Sequence, residues 1–126
     1  MRHTYRNLYI FLLLDIESVF IEAEVNNYRQ GDKIEMACYT PGASSVRYYW
    51  LRNNRTITAD GRIVLAQNKI IITQLLESDT GEYNCQVSNS YGTKISNSFK
   101  LLVTGEKFIY INLKEISKFI FLYTVQ

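Results

Sequence analysis

The chain has 126 residues and a net charge of +2, room for one domain and too little positive charge to follow a phosphate backbone, so nucleic acid is not an expected partner. A closed zinc site needs four ligands, and two cysteines with one histidine, His3 in the N-terminal tail, do not supply them. The same inventory lacks a Ser, His and acid set for nucleophilic catalysis, and nothing around Glu77 and Asp79 suggests a cleft that would shift a carboxyl pKa; no enzyme, cofactor, metal or small-molecule substrate is expected.

Residues 1–18 open with Arg2, His3 and Arg6, followed by the charge-free apolar run Leu8 to Leu14. That order matches the n- and h-regions of a secretory leader, although Asp15 and Glu17 interrupt the approach to a cleavage site. The competing reading is the ragged start of a fragment.

Residues 19–103 read as a series of short strands. Tyrosine, phenylalanine, isoleucine, valine and threonine are abundant against a single proline, a composition that packs well on a pleated surface. Gly31-Asp32 marks a turn, after which alternation puts Ile34, Met36 and Cys38 on one face. Thr40 to Ser45 is a loop by composition. Val46 to Leu51 is the next strand, with Val46, Tyr48 and Trp50 on one side and Arg47, Tyr49 and Leu51 on the other. Asn53-Asn54 and Asp60-Gly61 mark turns. Ile63 to Leu65 and Ile70 to Thr73 follow, with Ile70 and Ile72 inward and Leu75 closing the core behind them. Gly81 to Val87 alternates with Tyr83, Cys85 and Val87 inward. After a turn at Asn89 to Gly92, one long last strand brings Phe99, Leu101 and Val103 into phase. Strands of this spacing, separated by polar turns, predict an all-β sandwich or barrel.

Two cysteines 47 positions apart in such a chain read as one disulfide, and so as an oxidising compartment; a pair of buried free thiols is the alternative. Residues 104–126 break the pattern. Ile109, Leu113, Ile116 and Ile120 recur at helical spacing, but the longest uncharged run, Phe119 to Gln126, is far short of a membrane span. A membrane-surface helix is one reading, and a non-native extension is the preferred one.

The most specific signal is a set of spacings: Gly31-x-x-Ile34-x-Met36-x-Cys38, Trp50, Ile70-x-Ile72-x-x-Leu75, Asp79-x-Gly81-x-Tyr83-x-Cys85 and the hairpin Asn89-x-Tyr91-Gly92. Taken in order, these resemble the immunoglobulin superfamily, and its I-set branch most closely, over the middle zone alone. The resemblance implies an immunoglobulin-like Greek-key β-sandwich flanked by irregular N- and C-terminal extensions. It implies that a Cys38–Cys85 bridge joins the two sheets over Trp50, and that Tyr83 forms a tyrosine corner with its hydroxyl bonded back to the main chain. Gly81 is expected to permit a tight turn into the Tyr83 strand. Asp79 is expected either to accept bonds from nearby amides or to pair with Arg62.

A binding role remains. On the sheet carrying Trp50 and Cys85, the outward positions Arg47, Tyr49, Leu51, Asn84, Gln86 and Lys100 form the candidate interface, since Tyr and Arg are favoured where proteins meet. A second candidate is the basic group Arg47, Arg52, Arg55, Arg62 and Lys69, which suits a sulfated glycan, though Asp60 and Glu77 are interspersed. Asn54-Arg55-Thr56 is a glycosylation sequon on a turn, with Asn54 as the acceptor. The resemblance implies an extracellular module of a larger multi-domain adhesion receptor or basement-membrane matrix protein, recognising a protein partner, homophilic or matrix. The strand Tyr48-Tyr49-Trp50 followed by Leu51-Arg52 is similar to strands in basement-membrane proteoglycans. A structural spacer without its own ligand and an intracellular muscle-type domain are the alternatives.

Overall fold

The computed structural model describes residues 16–105. The expectations for a leader before Ile16 and for a helical or non-native extension after Gly105 lie outside the described residues.

Among the described residues nine strands follow one another: β1 (Phe20–Ala23), β2 (Ile34–Tyr39), β3 (Arg47–Arg52), β4 (Arg55–Thr56), β5 (Ile63–Ala66), β6 (Lys69–Ile72), β7 (Gly81–Asn89), β8 (Gly92–Ile95) and β9 (Phe99–Leu101). A 3-10 turn, Glu77–Asp79, precedes β7. All the strand pairings are antiparallel. The first sheet has the order β1-β2-β6-β5; the second runs β4-β3-β7-β8, with β9 also on β7. Between β1 and β2 the chain crosses to the second sheet. There Arg29 and Thr104 form a parallel bridge, and Gln30 N–H donates to the Thr104 carbonyl at 2.9 Å.

Period-two alternation accounts for the core. Ile34, Met36 and Cys38 from β2 and Ile70 and Ile72 from β6 face Trp50 from β3, Tyr83, Cys85 and Val87 from β7, and Leu101 from β9. Leu75 and Val103 close the cluster beyond the strand ends. Ile16, in the segment assigned from sequence to the N-terminal extension, is also buried in this cluster. Gly31 makes the turn before β2 at φ +91°, a conformation that costs a glycine little because it has no Cβ.

Two features depart from the sequence reading. The two-residue strand β4 was not anticipated; it is the return arm of a hairpin closed by Asn53 and Asn54. The last strand, expected to be continuous, is broken. Gln86 pairs with Ile95 and Tyr83 with Phe99, so three steps along β7 match four along the partner. One extra residue opposite Asn84 makes a β-bulge, which reverses which face the following side chains address. The Asn84 side-chain amide stitches it, donating to the Ser96 carbonyl at 3.0 Å and to Ser98 Oγ at 3.1 Å. Ser96 turns inward, where its Oγ accepts the Cys85 N–H at 2.8 Å. The bulge therefore leaves Ile95 outward while Phe99 and Leu101 stay in phase with the core.

Candidate interaction surface

The scaffold of the site is the disulfide and what surrounds it. Cys38 on β2 and Cys85 on β7 are bonded across the two sheets, with Cα atoms 6.2 Å apart. Trp50 is the register partner of Cys85 on the neighbouring strand, so its indole lies beside the bridge in the buried cluster.

Below the bridge lies an ionic and polar knot around Asp79, a fully buried side chain at the end of the 3-10 turn. Its carboxylate accepts from Arg62 at 2.8 and 3.3 Å and from the Leu76 main-chain N–H at 2.7 Å. Both expected roles of Asp79 are therefore filled at once. A second cation, Arg52, stands 3.5 Å away, an approach the sequence reading missed. Arg52 is 27 positions before Asp79, and only the register of β3 on β7 brings them together. Hydrogen bonding to Asp79, reinforced by its charge, pushes the Arg62 pKa up against the opposing effect of burial. The Tyr83 hydroxyl donates to the Asp79 carbonyl, and burial, the first cause, holds that phenol above its ordinary pKa.

Gly81 serves a different purpose from the one expected. Its φ is not in the left-handed region, so no tight turn demands it. A Cβ there would instead lie 2.8 Å from Asn53 Oδ1, the oxygen that accepts the Glu82 N–H. Close approach of the β3–β4 hairpin to β7 is what glycine permits.

The outward face of the second sheet brings most of the candidate interface together. Tyr49, Gln86 and Ile95 form one cross-strand row, with Tyr49 40 % and Ile95 60 % exposed. Leu51 pairs with Asn84 in the next row, and Arg47 pairs with Ser88 on the far side of Tyr49. Lys100, on β9, sits at the opposite end from Arg47, opposite Glu82 and 3.9 Å from its carboxylate. Asn84 is engaged by the bulge. Ile95 was missed because the expected unbroken strand would have turned it inward.

The basic group does not converge. Lys69 lies in the first sheet, bonded to Glu35 at 3.0 Å, and Arg47 is at the far end of β3. Arg52, Arg55 and Arg62 share one recess with Asp60 and Asp79. The Asp60 carboxylate caps the Arg62 and Ile63 amides, which lowers its pKa. Asn54 is exposed at the tip of the β3–β4 hairpin. Among the described residues, no group of three or more His, Cys, Asp or Glu is placed to hold a metal ion.

Two antiparallel sheets face to face, bridged between β2 and β7 beside a buried tryptophan and locked by a tyrosine bonded back to the turn before its strand, define an immunoglobulin-type β-sandwich. The immunoglobulin domain family matches residues 18–103, and the chain belongs to that family. It is 33% identical over 69 residues to mouse (Mus musculus) protogenin, covering 55% of this chain and 6% of protogenin. It is 35% identical over 63 residues to the human (Homo sapiens) cell adhesion molecule DSCAM, covering 50% of this chain and 3% of that protein. The chain thus spans under a tenth of these curated relatives. Among solved structures, murine CEACAM1b superposes with a TM-score of 0.65 at 24% identity, over 70% of this chain and 45% of that one, a likeness of fold.

Proposed function

We propose that this domain is an extracellular recognition module of a longer adhesion protein, and that it binds a protein partner through the outward face of the second sheet. The observation that carries the reading is the outward row Tyr49, Gln86, Ile95, with Tyr49 and Ile95 exposed and Gln86 half-buried between them, flanked by Leu51 and with Arg47 and Lys100 toward the two ends of the sheet. Aromatic and aliphatic side chains gathered on a rigid sheet, with charges only at the margins, have the composition of an interface centre and rim. Similarity to a protein named as a cell adhesion molecule supports the adhesion context, and a cross-sheet disulfide supports an oxidising compartment. Binding rather than catalysis is the role the family and the side-chain inventory favour.

The test is paired. The domain is coupled to beads, and bead aggregation reads contact with a second copy; immobilised adhesion ectodomains and matrix proteins read heterophilic contact. Tyr49→Ala and Ile95→Ser are expected to weaken binding by about tenfold or more, as interface-centre truncations do, with unchanged melting temperature. Equal binding by wild type and both variants would move the interface elsewhere. An absence of binding in every format would favour a spacer.

A further inference from the structure

Two adjacent asparagines at the tip of the β3–β4 hairpin have different fates. Arg52 pairs with Arg55, so Asn53 and Asn54 are the whole loop, at φ +50° and +66°. Such two-residue turns place both central residues in the left-handed region, which asparagine tolerates better than most residues. Asn53 is committed to β7: its N–H donates to the Glu82 carbonyl at 2.9 Å and its side-chain oxygen accepts the Glu82 N–H at 3.0 Å. Asn54 is exposed, and its side chain makes no hydrogen bond among the described residues. Thr56, two positions on, is also exposed, in register with Leu51.

We propose that Asn54 is an N-glycosylation site whose glycan shields one end of the second sheet. The donor is a lipid-pyrophosphate-linked oligosaccharide. Asn54 Nδ2 forms a bond to C1 of the first sugar as the C1–O bond to pyrophosphate breaks; the amide loses a proton and the lipid pyrophosphate leaves, with no change of oxidation state. In the organism the modification rests on the extracellular reading above, because the donor is met on the secretory route.

Position gives the glycan two consequences. It stands over β4, a two-residue edge strand whose outer side offers unpaired main-chain groups to other chains, and bulk there blocks edge pairing. It also neighbours Arg55 beside the recess shared with Arg52 and Arg62, and so hinders a sulfated glycan from reaching those cations. The tip lies at the β7 start, because Arg52 pairs with Tyr83, whereas the β7–β8 hairpin lies at the other end. A partner therefore reaches Tyr49 and Ile95 from the Asn89–Gly92 end.

The full chain is expressed in eukaryotic cells behind a heterologous secretion leader, and secreted material is compared before and after endoglycosidase. Thr56→Ser keeps the acceptor sequence, whereas Thr56→Val removes it and retains a residue suited to the strand; neither touches the turn. A single endoglycosidase-sensitive mobility step is expected in wild type and Thr56→Ser and in no Thr56→Val sample. Secreted wild type with an intact Cys38–Cys85 bridge but no step would overturn the proposal, as would a step that survives Thr56→Val. Formation of the Cys38–Cys85 bridge in the secreted material is scored separately by mass with and without reductant; its absence counts against the extracellular reading and not against Asn54 as an acceptor.

Discussion

The Tyr83 hydroxyl hydrogen-bonds at 2.5 Å to the main-chain carbonyl of Asp79, four residues upstream, and thereby ties the mouth of β7 to the turn that precedes it. Both groups are buried, so removing the hydroxyl leaves a carbonyl without that donor. Tyr83→Phe is expected to lose about 1–2 kcal/mol at neutral pH, read from the urea midpoint with an unchanged slope. No loss would mean that the corner is ornamental to stability.

The same phenol sets an alkaline limit. Its folded pKa is raised, chiefly by burial, above an unfolded value of about 10. The folded state therefore holds the proton more tightly than the unfolded chain. This contribution is complete below pH ~10 and is lost as pH rises through the folded value. Wild type is expected to lose melting temperature above pH ~10 more steeply than Tyr83→Phe, narrowing the gap between them. Parallel curves would place the alkaline sensitivity elsewhere.

Asp79 holds two guanidinium groups and one amide, and its own side chain is 1% exposed. Asp79→Ala strands Arg62 and Arg52 together and frees the Leu76 N–H; a loss of about 3 kcal/mol or more is expected. Arg62→Met should cost less, because Arg52 and the amide still face the carboxylate. Arg52→Met should cost least, being the longer contact. Denaturation midpoints rank the three, and an Arg52 variant as damaging as Asp79→Ala would refute the assigned hierarchy.

Gly81 and Asn53 should be coupled. Gly81→Ala forces the Asn53 amide aside and is expected to cost about 1–2 kcal/mol, in the range of overpacking. In an Asn53→Gly background the obstruction is gone and the turn keeps a residue at ease with positive φ, so most of that cost should vanish. A double-mutant cycle measures the difference, and additivity would disprove the contact as the cause.

Closing the Cys38–Cys85 loop, with a sequence separation of 47, removes about 4 kcal/mol of unfolded-state freedom in the chain-entropy account. The Cys38→Ala/Cys85→Ala double variant is expected to lose stability on that scale in calorimetry. A drop of less than about 1 kcal/mol would contradict the entropic account for this domain.

Much of the scaffold was legible because it depends on local alternation. Ile34, Met36, Cys38, Tyr83, Cys85 and Val87 needed only a period of two to be placed inward. The Arg62–Asp79 pair was legible as one of two options. Arg52 was not, since strand register rather than spacing delivers it. Ile95 was misplaced for a related reason: extending the phase of Phe99 and Leu101 backward through Asn97 and Ser98 ignores a polar interruption where the count slips by one. The candidate face was therefore readable on β3 and β7, which are regular, and unreadable on β8, which is displaced.

That slip at Asn84 divides the final stretch of chain into two independent tenants of the same neighbour. Phe99 and Leu101 of β9 answer to the interior, where an exchange must suit the volume around Tyr83, while the side chains of β8 are exposed, with Lys94 reaching back to the Glu17 carbonyl. Removing Asn97 would leave three steps on each strand, so the two would fuse into one continuous ribbon with Ile95 still outward opposite Gln86 and Phe99 still inward opposite Tyr83. The exposed side chains of residues 92–95 can be rewritten for a new partner without renegotiating the interior.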